Sequence, residues 1–239
     1  MPNLTITNIK QETKDAVSLL FEVPEAQQKA MQWIPGQHLQ VRCMIAGKPH
    51  VRRYSIASGD TNHLAVTVKR IEGGLVSSFI CDEVKAGDGL AVSKPQGLFQ
   101  LQPDAERSVH HCFLAAGSGI TPIYSMLVAV LNQEPKSKVS LLYGNRTPED
   151  IIFASELAQL QQRFKERFEV KHCLSGETGE AWHRGRINAP AISRFVSEMA
   201  EGCDNLRFYL CGPGNFIETS RETLKTMVPE DYISEESFL

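Results

Sequence analysis

The sequence predicts a two-domain fold: an antiparallel β-barrel, then a doubly wound α/β domain around a parallel five-stranded sheet. Three observations carry that expectation. The first hundred residues alternate apolar and polar side chains in short runs, each bounded by turn residues, which is the rhythm of an antiparallel barrel. After residues 102–108 (QPDAERS) the apolar runs stop alternating, and each feeds a helical stretch, the mark of a parallel sheet covered on both faces. The 239 residues are also enough for two modest cores. The spans are therefore 1–101 for the barrel domain and 108–239 for the α/β domain.

In the barrel half the strands are LTITNI, VSLLFEV, LQVRCMI, RYSIA and LAVTVKRI. They are rich in β-branched and aromatic residues, as strands are. Turns separate them at PG (35–36), AGKP (46–49), GDTNH (59–63) and AGDG (86–89). LVSSFICDEV (75–84) departs from the pattern. Its apolar residues at 75, 76, 79, 80, 81 and 84 lie on one helical face, and it follows Gly73-Gly74. In the second half CFLAAG leads into a helix beginning at Thr121-Pro122, with Thr121 as N-cap. VSLLYG leads into PEDIIFASELAQLQQRF, FEVKHCL into a polar loop and a helix near 190–200, and LRFYLCG into NFIETSRETLKTM.

Composition narrows the classes of function. Hydrophobic residues make up 42% and charged residues 22%, as in an ordinary soluble protein. The net charge of −3 gives no nucleic-acid signal. It divides into +1 over residues 1–104 and −4 over the remainder. Arg52, Arg53, Lys69 and Arg70 form a basic knot that suits an anion or is solvated surface. The six cysteines (Cys43, Cys81, Cys112, Cys173, Cys203 and Cys211) show no short metal-binding spacing. They suit reduced thiols in the cytoplasm, and no metal site is expected. No apolar run reaches membrane-spanning length, and the N-terminus lacks a signal core.

Three turn motifs follow predicted parallel strands. AAGSGITP (115–122) offers a glycine turn with bare amides before a helix, an anion site or simply a tight turn. YGNRTPED (143–150) offers Arg146 and Thr147, and LCGPG offers Cys211, which read alone is core filler. All three fall on the carboxyl edge of one sheet, where open α/β sheets bind ligands. In the barrel, Arg52, Tyr54 and Ile56 share one strand face. Arginine pairs with phosphate and tyrosine stacks on a planar ring, although a surface cross-strand pair has the same appearance. Gly73-Gly74, with a helix carrying Ser77 near its start, adds a second anion pocket.

Together these motifs resemble the ferredoxin–NADP reductase superfamily. RRYS (52–55) is similar to its flavin motif, and GGLVSSFI (73–80) to its flavin-pyrophosphate helix. GSGITP (117–122) is similar to its pyridine-nucleotide loop, YGNRTPEDIIF (143–153) and GRI (185–187) to its dinucleotide contacts. CGP (211–213) is similar to its nicotinamide-side motif, and EESF (235–238) to the ending of its bacterial branch. The likeness spans nearly the whole chain and is greatest to the reductase modules of phenylacetate and ring hydroxylases and of flavohaemoglobins.

The resemblance implies an FAD-binding barrel, an NAD(P)-binding α/β domain and a C-terminal tail covering the flavin. It implies hydride transfer from NAD(P)H to FAD, and then electrons to an iron–sulfur protein, a flavodoxin or a similar acceptor. Arg52, Lys69, Gly73, Gly74, Val76 and Ser77 would hold FAD, with Tyr54 packed on its ring and Ser55 near its N5. Gly117, Gly119 and Thr121 would bind the NAD(P)H phosphates and ribose, and Arg146 the adenosine side. Cys211, Gly212 and Pro213 would sit beside the nicotinamide, and Phe238 would cover the flavin. Ser55, Cys211 and Glu236 would be the catalytic set. Two departures stand out. Phe216 occupies a position where the family pattern has Met, and the C-x4-C-x2-C cluster of a ferredoxin domain is missing. The chain thus works alone, as a monomer, or is one module of a longer protein with a fused iron–sulfur domain. A reductase of free flavin and a non-enzymatic flavin-bearing redox subunit are the rival readings.

Overall fold

A computed structural model describes residues 1–59, 63–176, 181–200 and 205–238. Cys203, most of the GDTNH turn and part of the polar loop after FEVKHCL lie outside these residues. In the N-terminal half, period-two alternation is realised as antiparallel strands. These are β1 (Asn3–Thr13), β2 (Ala16–Glu22), β3 (His38–Ile45), β4 (Lys48–Ser55), β5 (Leu64–Lys69) and β6 (Gly89–Val92). Their spatial order is β4-β3-β6-β1-β2-β5. Ile56, the residue after β4, bridges Val66 of β5, so the two outer strands meet and the sheet closes into a barrel. Leu4, Ile6, Leu19, Leu39, Val41 and Val66 point inward and are fully buried. The β3–β4 hairpin turns through Ala46 and Gly47, both at positive φ (48° and 74°), the turn geometry that matches strand twist. A one-turn helix, α1 (Glu25–Gln28), and α2 (Leu75–Asp82) complete this half.

The C-terminal half is a parallel sheet of six strands rather than five. They are β7 (His110–Ala116), β8 (Lys138–Asn145), β9 (Phe168–Leu174), β10 (His183–Arg184), β11 (Leu206–Pro213) and β12 (Ile233–Phe238). The order is β10-β9-β8-β7-β11-β12. The extra edges come from a two-residue strand, β10, and from the C-terminal tail, which pairs with β11 as β12. Four helices cover the sheet: α3 (Ile120–Gln133), α4 (Ala154–Arg163), α5 (Ala189–Ala200) and α6 (Gly214–Lys225). Phe113 and Ala115 of β7 join one core with α3 and α4, while Cys112 and Leu114 join another with α5 and α6. That is why the strand is apolar without alternation. Two helix expectations are corrected. The N-cap of α3 is Gly119, not Thr121, because a 3-10 turn over Gly117–Gly119 starts the helix two residues earlier. The stretch after YGNR is not one helix. Thr147 and Asp150 form a capping box on a short 3-10 turn, and Phe153, in left-handed geometry, separates it from α4.

The two halves share a core. Ala16 and Ala57 of the barrel, with Phe99 and Leu101, pack into the cluster built around α3. The Ser125 hydroxyl of α3 donates to the Ser58 carbonyl at 2.9 Å. No helix among the described residues is long and apolar enough to cross a membrane.

Candidate functional site

On the α/β side, the site is built from strand ends. Gly117 follows β7 at φ 55°, and its carbonyl accepts a hydrogen bond from the Tyr143 hydroxyl at 3.1 Å. The Thr121 hydroxyl donates to the Ser118 carbonyl at 3.0 Å, fixing the loop from inside. A Cβ on Gly119 would stand 2.1 Å from the Cys211 carbonyl oxygen, so only glycine lets this loop lie against β11. Cys211, Gly212 and Pro213 are the last three residues of β11 and pair with Glu236, Ser237 and Phe238 of β12. Phe216 packs over Gly212, where a Cβ would come within 2.7 Å of its ring. Arg146 is exposed just past β8, and its carbonyl accepts the Gly176 N–H at 2.7 Å.

On the barrel side, Gly73 takes φ 70° and Gly74 caps α2. The Ile71 N–H donates to the Ser77 hydroxyl at 3.1 Å, and that hydroxyl donates to the Gly74 carbonyl at 3.3 Å. The turn is thus locked with the amino end of α2 presented to the space beside it. Within the basic knot, Arg70 is committed to Asp82 through two contacts of 2.5 and 2.6 Å. Arg52, Arg53 and Lys69 form no ion pair among the described residues.

These parts meet in one cavity of about 980 Å³. The barrel contributes Arg52, Tyr54, Ser55, Lys69, Gly74, Val76 and Ser77, the glycine loop contributes Thr121, and the C-terminal strand contributes Glu236 and Phe238. Gly73, Gly117, Gly119, Arg146, Cys211, Gly212 and Pro213 do not line it. The first of these holds the α2 turn, and the others form the adjoining carboxyl edge of the parallel sheet. Sequence reasoning missed His38, Gln40, Thr67 and Ser118 as lining residues. Ser118 was inside a recognised motif; His38 and Gln40 had only their position after a turn, on the strand facing RRYS. A second cavity, of about 480 Å³, opens at the other end of the parallel sheet, between Val109, Lys138 and Arg167.

Glu236 has an unusual environment. Burial pushes its carboxyl up to about 7, against the pull of Arg53. Its Oε1 lies 3.9 Å from His38 Nδ1, and its Oε2 is buried without a hydrogen-bond partner among the described residues. Burial and Arg53 lower the His38 pKa. Cys211 is fully buried, and burial, with Glu236 nearby, raises its thiol pKa well above the ordinary range. It is a neutral thiol rather than a thiolate nucleophile. The lining fits a phosphorylated ligand with a flat ring: arginine, lysine and a helix amino end suit the phosphates, and Tyr54 and Phe238 suit the ring. A dinucleotide flavin has both features.

Comparison with known proteins agrees with this geometry. Residues 3–101 match the oxidoreductase FAD-binding domain model, and residues 113–222 match the oxidoreductase NAD-binding domain model. The chain is 35% identical to one of the subunits of 1,2-phenylacetyl-CoA epoxidase of Escherichia coli, over 99% of this chain and 67% of that protein. It is 34% identical to the ferredoxin reductase component of 3-ketosteroid-9-alpha-monooxygenase from Rhodococcus rhodochrous, over 94% of this chain and 61% of that protein. The chain therefore spans roughly two thirds of the length of these relatives. The flavohem-like FAD/NAD binding domain of nitric oxide dioxygenase from Vibrio cholerae superposes with a TM-score of 0.83 at 24% identity, covering 99% of this chain and 98% of that one. The chain belongs to the ferredoxin–NADP reductase-like family of FAD- and NAD-binding oxidoreductases.

Proposed function

We propose that this protein is an FAD-dependent NAD(P)H oxidoreductase that passes electrons to an iron–sulfur protein, a flavodoxin or a similar acceptor. Residues 1–101 form its FAD-binding unit and residues 108–239 its NAD(P)-binding unit. The observation that carries the proposal is the single cavity in which a basic barrel wall, the amino end of α2, the glycine loop and the C-terminal strand converge. When bound, FAD supplies a group that takes a hydride and gives up electrons one at a time.

The chain's own residues bind, orient and exclude water. Arg52, Lys69 and the amides of Gly74–Ser77 hold the FAD phosphates, on the turn that Gly73 allows. Val76 would help to hold FAD, Tyr54 would pack on its ring, Phe238 would cover the flavin, and Ser55 would hydrogen-bond near it. Gly117, Gly119 and Thr121 hold the NAD(P)H phosphates and ribose, and Arg146 the adenosine end. Cys211, Gly212 and Pro213 would sit beside the nicotinamide. Glu236, whose carboxyl holds its proton near neutral pH, is the group that keeps or releases a proton beside the rings. Hydride transfer itself needs no general base. The work of the site is alignment in a dry pocket. Cys43, Cys81, Cys173 and Cys211 form no disulfide among the described residues, which suits a reducing cytoplasm.

The test is direct. Purified protein is expected to be yellow, to keep its flavin through dialysis, and to oxidise NADH or NADPH with menadione as acceptor. A colourless protein without nicotinamide oxidation overturns the proposal. Rapid flavin loss with retained turnover of added flavin would make flavin a substrate, and retained flavin without turnover would make the protein a redox subunit.

A further inference from the structure

A row of polar side chains crosses three strands of the barrel wall. Lys10 of β1 stands opposite Ser18 of β2, and Ser18 opposite Thr67 of β5, so the three share a face. The alternate residues Val17, Leu19, Val66 and Val68 fill the barrel core, which puts the row on the outer wall. There the α/β half covers it. Ala16, on the same face as Ser18, joins the core around α3, and Lys10 bonds Glu156 of α4. Glu12 sits where the β1–β2 register shifts between Gln11 and Thr13, and such a bulge re-aims a side chain. Its carboxylate turns onto the row and pairs with Lys10 at 2.9 Å. Ser18 and Thr67 are 5% and 4% exposed, and the Glu12 side chain 4%. Polar groups buried this deeply are costly unless bonded, and here they bond one another. The Ser18 hydroxyl donates to Glu12 Oε1 at 2.6 Å and lies 2.7 Å from the Thr67 hydroxyl.

Proton count fixes the direction of this chain. A hydroxyl has one proton and two lone pairs, and an ionised carboxylate has no proton to return. Ser18 gives its proton to Glu12, so Thr67 must donate to Ser18. The Thr67 hydroxyl is left with acceptor capacity and no proton, and Thr67 lines the large cavity. Two residues further along the same strand face, Lys69 reaches the glycine loop, its Nζ 3.8 Å from the place of a Cβ on Gly117. We propose that Thr67 selects part of the ligand by accepting a hydrogen bond from a sugar hydroxyl of a bound dinucleotide, with Ser18 and Glu12 as positioning residues that hold it as an acceptor. The inference rests on the reductase function proposed above. A phosphate oxygen at Thr67 would set lone pair against lone pair, and a buried acceptor left without a donor is penalised. The wall thus separates two kinds of group, phosphate toward Lys69 and sugar toward Thr67. The ribityl chain of the flavin and the ribose of the nicotinamide nucleotide both carry the required hydroxyl.

The experiment measures binding in Thr67→Val, Thr67→Ser and Ser18→Ala. In one arm the flavin-free protein is titrated with FAD and read by flavin fluorescence. In the other the flavin-loaded protein is titrated with NAD+ and with NADP+ and read by difference absorbance. Thr67→Val is expected to weaken binding about tenfold in at least one arm, or about 1.4 kcal/mol, while Thr67→Ser, which keeps the hydroxyl, stays within about twofold of wild type. A loss of FAD affinity assigns the hydroxyl to the flavin's ribityl chain, and a loss of nucleotide affinity assigns it to the nicotinamide nucleotide. Ser18→Ala is expected to weaken the same arm about threefold, and to have no further effect in combination with Thr67→Val, because the two act through one group. Wild-type affinities in both arms for Thr67→Val, or effects of Ser18→Ala and Thr67→Val that add, overturn the inference and leave the reductase function standing. A wild-type protein that binds neither FAD nor a nicotinamide nucleotide removes that function and this role together.

Discussion

Glu236 stands opposite Cys211 because β12 pairs in parallel with β11, and that register decides the chemistry of its carboxyl. Moved from water to a half-buried site without a partner for Oε2, the carboxyl keeps its proton up to about 7, compared with the ordinary 4.5. The sign of the consequence follows. Below pH 4.5 both folded and unfolded chains hold the proton, so the group is neutral in its effect. From 4.5 to 7 the unfolded chain releases it and the folded chain does not, so stability falls as pH rises through that window. Above 7 the full cost, up to about 3 kcal/mol, is present. Glu236→Gln is therefore expected to raise the melting temperature of the flavin-free protein at pH 8 and to leave it nearly unchanged at pH 4.5. An equal shift at both pH values, read by thermal unfolding, would remove proton affinity as the cause. The sequence placed Glu236 near the flavin only by resemblance. His38, its neighbour, carries no motif and was invisible until β3 and β12 were set side by side. Cys211 read alone was core filler and became a site residue only by resemblance; the structure buries its side chain fully and pairs it across the strands with Glu236.

Among elements, the glycine loop and the α2 turn place the same residue type under different constraints. Gly119 is fixed by a neighbour: an added Cβ would lie 2.1 Å from the Cys211 carbonyl oxygen and 2.8 Å from the Gly212 nitrogen. Backbone atoms of a central strand cannot step aside, so the loop itself must move. Gly73 has open space around a Cβ, and only its φ of 70° resists substitution. Gly119→Ala is expected to cost about 2–3 kcal/mol of stability and to raise the KM for the nicotinamide nucleotide while flavin is retained. Gly73→Ala costs about 1 kcal/mol and acts on flavin retention instead. Unfolding curves and nucleotide titrations check both, and an unchanged nucleotide KM in Gly119→Ala would dissociate the loop from that ligand. Strand and helix types were legible wherever period and burial agreed. They were not legible in ISEESF, where a charged edge strand is buried only in part, or at β10, where two residues carry no period. Nor did any residue before Phe153 announce the left-handed break ahead of α4.

Across the whole molecule, the site exists only because two cores are held in one relation. The change of rhythm near residue 102 revealed two domains. It did not reveal their contact, because α3 is buried on nearly every side and no stripe marks which face meets the barrel. The structure shows that face through Ser125, Met126 and Val128. The hydroxyl of the first donates to Ser58, and the other two crowd Gly36 and Gly59. Gly59 is the cleaner probe. Added there, a Cβ would sit 2.5 Å from Val128 Cγ1 and 2.9 Å from its Cβ, a branched side chain with little freedom to yield. Gly59→Ala should destabilise the protein by about 1–3 kcal/mol through this overlap. Val128→Ala alone should cost about 1–2 kcal/mol through lost packing. In the double variant the new methyl occupies part of the space vacated, so the two effects fall short of their sum by about 1 kcal/mol. The same cycle read in nicotinamide-to-flavin transfer tests the connection between packing and catalysis. A tilted barrel slows transfer in Gly59→Ala, and Val128→Ala restores it. Additive stabilities, or a transfer rate indifferent to Gly59→Ala, would mean that the contact with α3 does not set the alignment of the two halves.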